Sequence, residues 1–320
     1  MSAVPSLLGP LRAHRPLLIA TIFSLGVTLA AVIGLLADPR ELVGAPIWMK
    51  AFKFGVSIAI YTVTIAWMLA LLPGRSRRAW WIGTVIAFFI TVENVLIVLQ
   101  IARGAMSHFN FTTPFDSFVV VTMGAAIVLV WLANLMLGIV LAFRPLSTAS
   151  LTVGVRWGVS VSLVGMAVAF LMTVGDFGVI DSPGNGIEGA HTVGAADGGP
   201  GLPVVGWSTV AGDLRVPHFV GIHVLQALPL FALLLERLTP RAGSFWDERS
   251  RTGLTRVAGA GSLGVVALLT WQAARGQSVI QPDRLTILIT AILFAALIAA
   301  AAVALLRSNS ARRKLQPMQL

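Results

Sequence analysis

The sequence predicts an all-α membrane protein, a polytopic bundle of about eight transmembrane helices. The composition, the length of the apolar runs and the placement of basic residues between those runs all point to it. Hydrophobic residues make up 57% of the 320-residue chain and charged residues 11%, with a mean hydropathy of +0.87. A soluble domain carries about 25% charge. So little charge does not coat a water-facing surface of this size.

A hydrocarbon core about 30 Å thick is crossed by roughly 20 apolar residues in a helix. Eight stretches meet that length: 16–36, 51–72, 79–101, 117–143, 153–175, 217–238, 255–273 and 284–306. The first has the basic start of a signal peptide. Its apolar run of about 20 residues exceeds the roughly 7–15 of such a segment, so it is read as a retained helix.

Lys and Arg collect on the cytoplasmic side of membrane proteins. With the N-terminus inside, the outer segments hold Arg40, Lys50, Lys53, Arg103, Arg215, Arg275 and Arg284, and the other 16 of the 23 basic residues fall inside. Every inner loop is then basic. The expected place is a cell (inner) membrane, with both termini cytoplasmic and the lipid bilayer as the main partner. The net charge of +10 is accounted for by these loops. No basic run is interleaved with aromatics, which argues against nucleic acid as a partner. The chain has no cysteine, which excludes disulfides, Cys-ligated zinc, iron–sulfur clusters and thiol redox chemistry.

Residues 176–215 are unlike the rest. Gly and Pro are dense, and no apolar stretch is long enough to span. A loop of this length is expected to be either a disordered linker or a lid over the outer mouth. Its GNGIEGA run is not a phosphate-binding loop, because no Lys or Ser/Thr follows at the needed position.

The third helix ends Gln100-Ile101-Ala102-Arg103-Gly104 and the seventh ends Gln272-Ala273-Ala274-Arg275-Gly276. Each is followed by a Pro shortly before an Asp, as Pro114-Phe115-Asp116 and Pro282-Asp283. The second and sixth helices correspond loosely, opening Lys53-Phe54 and His218-Phe219 just after Lys50 and Arg215. These matches predict two parallel four-helix halves, 1–148 and 149–320, related by an axis along the membrane normal, with a binding site between them.

Ionisable residues inside a membrane are costly, so each is a functional candidate. Nearly all lie in the outer half. Glu93, Gln100 and Arg103 share one face of the third helix, Gln100 being about 20° and Arg103 about 80° round from Glu93. Glu93 sits about 15 Å deeper than Arg103 and needs a partner, a proton or a water-filled cavity. His108 and Asp116 lie at the outer interface, and Asp116 is expected to be the N-cap of the fourth helix. On the sixth helix His223 and Gln226 share a face, while His218 is about 140° round from His223. That angle argues against a two-histidine zinc site. Lys50 and Lys53 either snorkel to the interface or join the cluster. Tyr61 is the only tyrosine, and at mid-helix its hydroxyl is expected to find a buried partner. Arg recognises carboxylates bidentately, so Gln-x-x-Arg in both halves is a candidate clamp for an anionic group. Asp176, Asp213 and Asp283 complete the acidic side of the cluster.

The phrases SHFNFTTPFD and GDLRVPHFVGIHVLQALPL, with PIWMKAFKFGVSIA before the second helix, resemble signatures of a family of bacterial multi-pass membrane proteins that brings no established activity with it. The 4+4 arrangement with histidines near one face is similar in outline to haem A synthases. A repeated histidine pair in both halves is not placed here, so that similarity implies architecture alone.

Two readings of function follow. In the first, the protein is a carrier for a small anionic solute, held by Lys53, Glu93, Gln100, Arg103, His108, Arg215, His218, His223, Gln226, Gln272 and Arg275. In the second it is a membrane redox protein or enzyme whose haem b is ligated by His223 with His108 or His218, the arginines holding the propionates.

Overall fold

The computed structural model describes residues 8–72, 76–174, 186–242 and 247–315. Eight of its helices are long and apolar enough to cross a membrane. They are α2 (Arg15–Ala37), α3 (Met49–Ala70), α4 (Arg77–Arg103), α5 (Pro114–Ala142), α6 (Ala149–Val174), α7 (Arg215–Ala242), α8 (Glu248–Ala274) and α9 (Arg284–Leu315), after a short α1 (Leu8–Ala13). The protein is therefore an all-α, multi-pass membrane bundle, and every apolar run read from the sequence is one of its spans.

Local chemistry sets the helix ends. Ser76, Thr113 and Asp247 cap α4, α5 and α8 by accepting a backbone N–H with the side chain. Gly104, in the left-handed region at φ 68°, ends α4, which is the usual role of glycine after a helix. A two-stranded hairpin joins α2 to α3, β1 (Glu41–Leu42) paired with β2 (Ala45–Pro46). Its two central residues, Val43 and Gly44, both have positive φ, as the tightest hairpin turns require.

The helices pack in the same order in two successive groups of four. In the first, α2 lies against α3 and α4, α3 against α4, and α4 against α5. In the second, α6 lies against α7 and α8, α7 against α8, and α8 against α9. The two groups meet where α5 packs on α6 and α3 approaches α7. An apolar cluster closes this seam toward the C-terminal end of α3, with Ile65, Met68, Leu137, Leu151, Val155 and Leu225 fully or almost fully buried. At the α6–α7 crossing main chain meets main chain: a Cβ placed on Gly165 would stand 2.6 Å from Gly221 Cα.

Residues 186–214 form a folded cap over the helix ends on the side of Gly104 and Gly276. Residues 176–185, with Asp176, lie outside the described residues. In the cap, β3 (Thr192–Val193) pairs with β4 (Gly212–Asp213). Main-chain atoms fasten it to its surroundings. Phe111 N–H donates to Gly186 O, Glu188 N–H to Phe109 O, and Ala190 N–H to Met172 O. Gly198 O lies against Gly44, and Gly212 lies against Ala273 O. The cap thus touches loops or helix ends of both groups.

Candidate functional site

Two corner motifs stand at the C-terminal ends of α4 and α8. In the first, the amide of Gln100, fully buried, donates to Met106 O (3.0 Å) and to Asp116 Oδ1 (2.9 Å). Arg103 donates to Asp116 Oδ1 at 2.5 Å and to Gln100 Oε1, and lies over the Phe115 ring at 4.4 Å. In the second, Gln272 donates to Ser278 O (2.8 Å), again six residues ahead, and Arg275 donates to Asp283 Oδ2 (2.6 Å) while lying over Trp271 at 4.5 Å. Gly276, like Gly104, has a positive φ.

Each arginine is engaged by a carboxylate of its own corner. The expected clamp, with both arginines on one anion, is not the arrangement found: Gln100, Arg103, Gln272 and Arg275 tie helix ends to the loops that follow. Asp116 also differs from expectation. The N-cap of α5 is Thr113, whose Oγ1 accepts Asp116 N–H (3.1 Å), while the Asp116 carboxylate accepts the Thr113 hydroxyl (2.6 Å). An acidic side chain three residues into the helix completes a reciprocal cap, and here it also takes the arginine.

The remaining polar side chains meet in the outer part of the seam, beneath the cap. Lys50 and Lys53, on the first turns of α3, turn inward instead of toward the lipid interface. Lys50 Nζ lies 2.9 Å from His108 Nδ1, and His108 Nε2 lies 3.5 Å from Glu93 Oε1. Glu93 is only 2% exposed, and its Oε2 has no hydrogen-bond partner among the described residues. Glu93 therefore answers to His108, not to the Gln100–Arg103 pair on the same helix face. Lys53 Nζ donates to Val205 O of the cap (3.0 Å). Arg215 donates to both oxygens of buried Asp213 (2.6–3.2 Å) and to Gly206 O (2.6 Å). Deeper in the seam, His223 lies 3.5 Å from Ser57 Oγ of α3 and 3.3 Å from Gln226 Oε1. Tyr61 finds the buried partner expected of it, accepting from Asn134 at 2.5 Å.

The partners fix the imidazole tautomers. An ammonium only donates, so Nδ1 of a neutral His108 accepts from Lys50 and Nε2 carries its proton toward Glu93. His191 Nδ1 faces Asp197 Oδ2 (2.7 Å) and His218 Nδ1 faces Gly165 O (2.8 Å). Both partners accept, so these rings donate from Nδ1 and keep a lone pair on Nε2. The Asp197 carboxylate also accepts the N–H groups of His191 and Thr192. Burial works against its charge, but these bonds outweigh it and hold the carboxyl well below the usual range.

Burial lowers the pKa of both loop histidines. At His108 the nearby Lys50 adds to it, and at His191 the bond to Asp197 partly offsets it. A histidine whose folded pKa lies below its unfolded value of about 6.5 contributes full stability above that value and loses it as the pH falls further. These two histidines are therefore expected to lower the unfolding temperature in detergent as the pH falls below about 6.5. A rise in unfolding temperature between those lower pH values and 5 contradicts the neutral assignment.

The seam therefore brings together Lys53, Glu93, His108, Arg215, His218, His223 and Gln226 of the residues singled out in the sequence, and Lys50 with them. It leaves Gln100, Arg103, Gln272 and Arg275 in the corners. Sequence reasoning missed the His191–Asp197 pair. The available signal was a lone histidine in a Gly-rich loop with an aspartate six positions on. Among the described residues no group of three or more His, Asp or Glu is placed to hold a metal ion. A groove of about 430 Å³ lies away from this chemistry, between α7, α8 and α9, and its lining is almost wholly apolar. No family model, curated protein or solved structure matches the chain.

Proposed function

We propose that this protein binds a small anionic solute in the outer part of the seam and carries it across the cell membrane, with both chain ends in the cytoplasm. Lys53 carries the reading. It is a cation facing inward between the halves, and among the described residues it has no carboxylate partner, only the Val205 carbonyl. A full negative charge on a ligand is a stronger partner for an ammonium than a neutral carbonyl. Arg215, Lys50 and the imidazoles of His218 and His223 complete the proposed site, and Glu93 is its proton-accepting end, reached through His108.

The shared order of packing in 15–142 and 149–315, and the two Gln-x-x-Arg-Gly corners, support reading the chain as two parallel four-helix repeats. Rocking of such repeats about a site between them is a known route to alternating access. The apolar cluster around Leu137, Leu151 and Leu225 would then be the inner gate, and the state described here the one closed to the cytoplasm.

The test is ligand-induced stabilisation. Phosphate or acetate, at fixed ionic strength against chloride, is expected to raise the unfolding temperature of the purified protein, and Lys53→Ala to remove at least nine-tenths of that shift. Equal shifts in wild type and Lys53→Ala sink the assignment. The second reading, a haem b protein, is favoured by one observation: His218 bonds the Gly165 carbonyl through Nδ1 and keeps Nε2 for iron, the orientation common among metal-ligating histidines. His108 does not fit it, since Lys50 and Glu93 engage both its nitrogens. A Soret band in the same preparation would favour haem over the carrier.

A further inference from the structure

Lys53 and Arg215 converge on one turn of the cap. Lys53 Nζ donates to Val205 O (3.0 Å) and Arg215 Nη2 to Gly206 O (2.6 Å). A Cβ on Gly206 would stand 3.9 Å from Lys53 Nζ and 4.0 Å from Arg215 Nη1. The turn itself is strained. Val204 sits at φ 66°, in the left-handed region that costs an L-residue roughly 1–2 kcal/mol, more so when β-branched. Its side chain is 58% exposed, so packing does not account for the conformation. Val205 N–H bonds back to Pro203 O (2.8 Å), closing a three-residue turn of the rare positive-φ kind.

Around that turn, residues 200–209 form a self-contained hairpin. Leu202 N–H donates to Trp207 O, Gly206 N–H to Leu202 O and Thr209 N–H to Pro200 O. Trp207 then packs on Phe219 (5.6 Å between ring centres) and Phe219 on His223 (4.4 Å). The hairpin thus contacts the seam through both its carbonyls and its indole. Backbone strain kept at a place where two cations meet is an observation that calls for a functional account.

We infer that residues 200–209 are a plug seated in the anion site, the carbonyl oxygens of Val205 and Gly206 standing where two oxygens of an oxyanion ligand would bind. This rests on the anion-site reading above. Two neighbouring acceptor oxygens, shared between an ammonium and a guanidinium, are what a carboxylate, phosphate or sulfate presents. A halide presents one centre. The ligand class is therefore an oxyanion, and entry of ligand and exit of plug are one exchange. Lys53 and Arg215 keep an acceptor throughout, and the strain at Val204 is released when the turn leaves.

The experiment uses the full chain in detergent, with inorganic phosphate and acetate titrated at constant ionic strength and chloride as reference. Two readouts are taken: unfolding temperature, and amide hydrogen exchange of the 200–209 peptide. The oxyanions are expected to stabilise the protein while exchange in 200–209 speeds up. Val204→Gly relaxes the seated turn and should weaken apparent affinity about fivefold, whereas Gly206→Ala strains it and should tighten affinity about fivefold. Neither substitution removes a cation. Phosphate and acetate together separate a phosphate-type from a carboxylate-type ligand, and preference for either supports the plug. If oxyanions stabilise wild type but 200–209 is slowed or unmoved, or if the variants do not shift in opposite directions, the plug is overturned and the anion site stands. If neither oxyanion exceeds chloride, the anion site falls and the plug with it.

Discussion

Gly165→Val should cost about 3 kcal/mol, the upper end for overpacking, and lower the unfolding temperature in detergent by roughly 5–10 °C. A Cβ at this position meets backbone: Gly221 Cα and C stand 2.6 Å away, and Ile222 N 2.7 Å. No rotamer change clears a clash with main chain. Small residues at such crossings let helices approach within a membrane, and α6 with α7 is the crossing that fixes where Arg215, His218 and His223 stand. Gly26→Ala and Gly124→Ala are the matched controls, since a Cβ there meets nothing within 4 Å. Both should be neutral or stabilising, because glycine is the poorer helix former by up to about 1 kcal/mol. Equal unfolding temperatures for Gly165→Val and the controls would refute the close crossing.

Asp213→Ala should cost about 3 kcal/mol, as expected when one partner of a buried ion pair is removed. Asp213 is 2% exposed and accepts from the Arg215 guanidinium, from Arg215 N (2.9 Å) and from Ser208 N (2.8 Å). Arg215 is left without its counter-charge, and the end of β4 loses its tie to the hairpin. Arg215 is 28% exposed along its side chain, so water softens the loss, which places it at the lower end of the range. Asp213→Asn keeps an acceptor for Ser208 and should recover part of the stability. Differential scanning of the three proteins decides it. An Ala variant within a degree of wild type would show that the pair is not the anchor of the cap.

The spans were legible because hydrocarbon imposes one rule on every helix, an apolar run of fixed length, and the sequence obeys it eight times. The likeness of Gln100-Arg103 to Gln272-Arg275 was visible because both corners use the same spacing. Their role did not show. Whether an arginine meets a ligand or an aspartate thirteen or eight residues on depends on how the next loop folds, and apolar periodicity carries no record of that. Thr113 hid behind Asp116 for the same reason, since both are plausible caps and only backbone angles choose between them. The cap was least legible. Its glycines and prolines read as absence of structure, yet they let main chain approach main chain, and the pairing of Lys53 with Val205 spans 152 positions. Lys53, Arg215 and His223 were recognisable from residue type and depth, while His191 and Asp197 were lost in a loop without hydrophobic period.

The cap is joined to the rest of the protein mostly by peptide groups, and peptide groups are common to every amino acid. Its shape is therefore indifferent to much of its spelling and sensitive to its count. Between Gly198 and Gly212, the glycines and Trp207 are held by close contacts, but the exposed positions are free to vary as long as the number of residues holds, whereas one inserted residue slides every later anchor out of reach. What such a lid hands down is a measured length of chain.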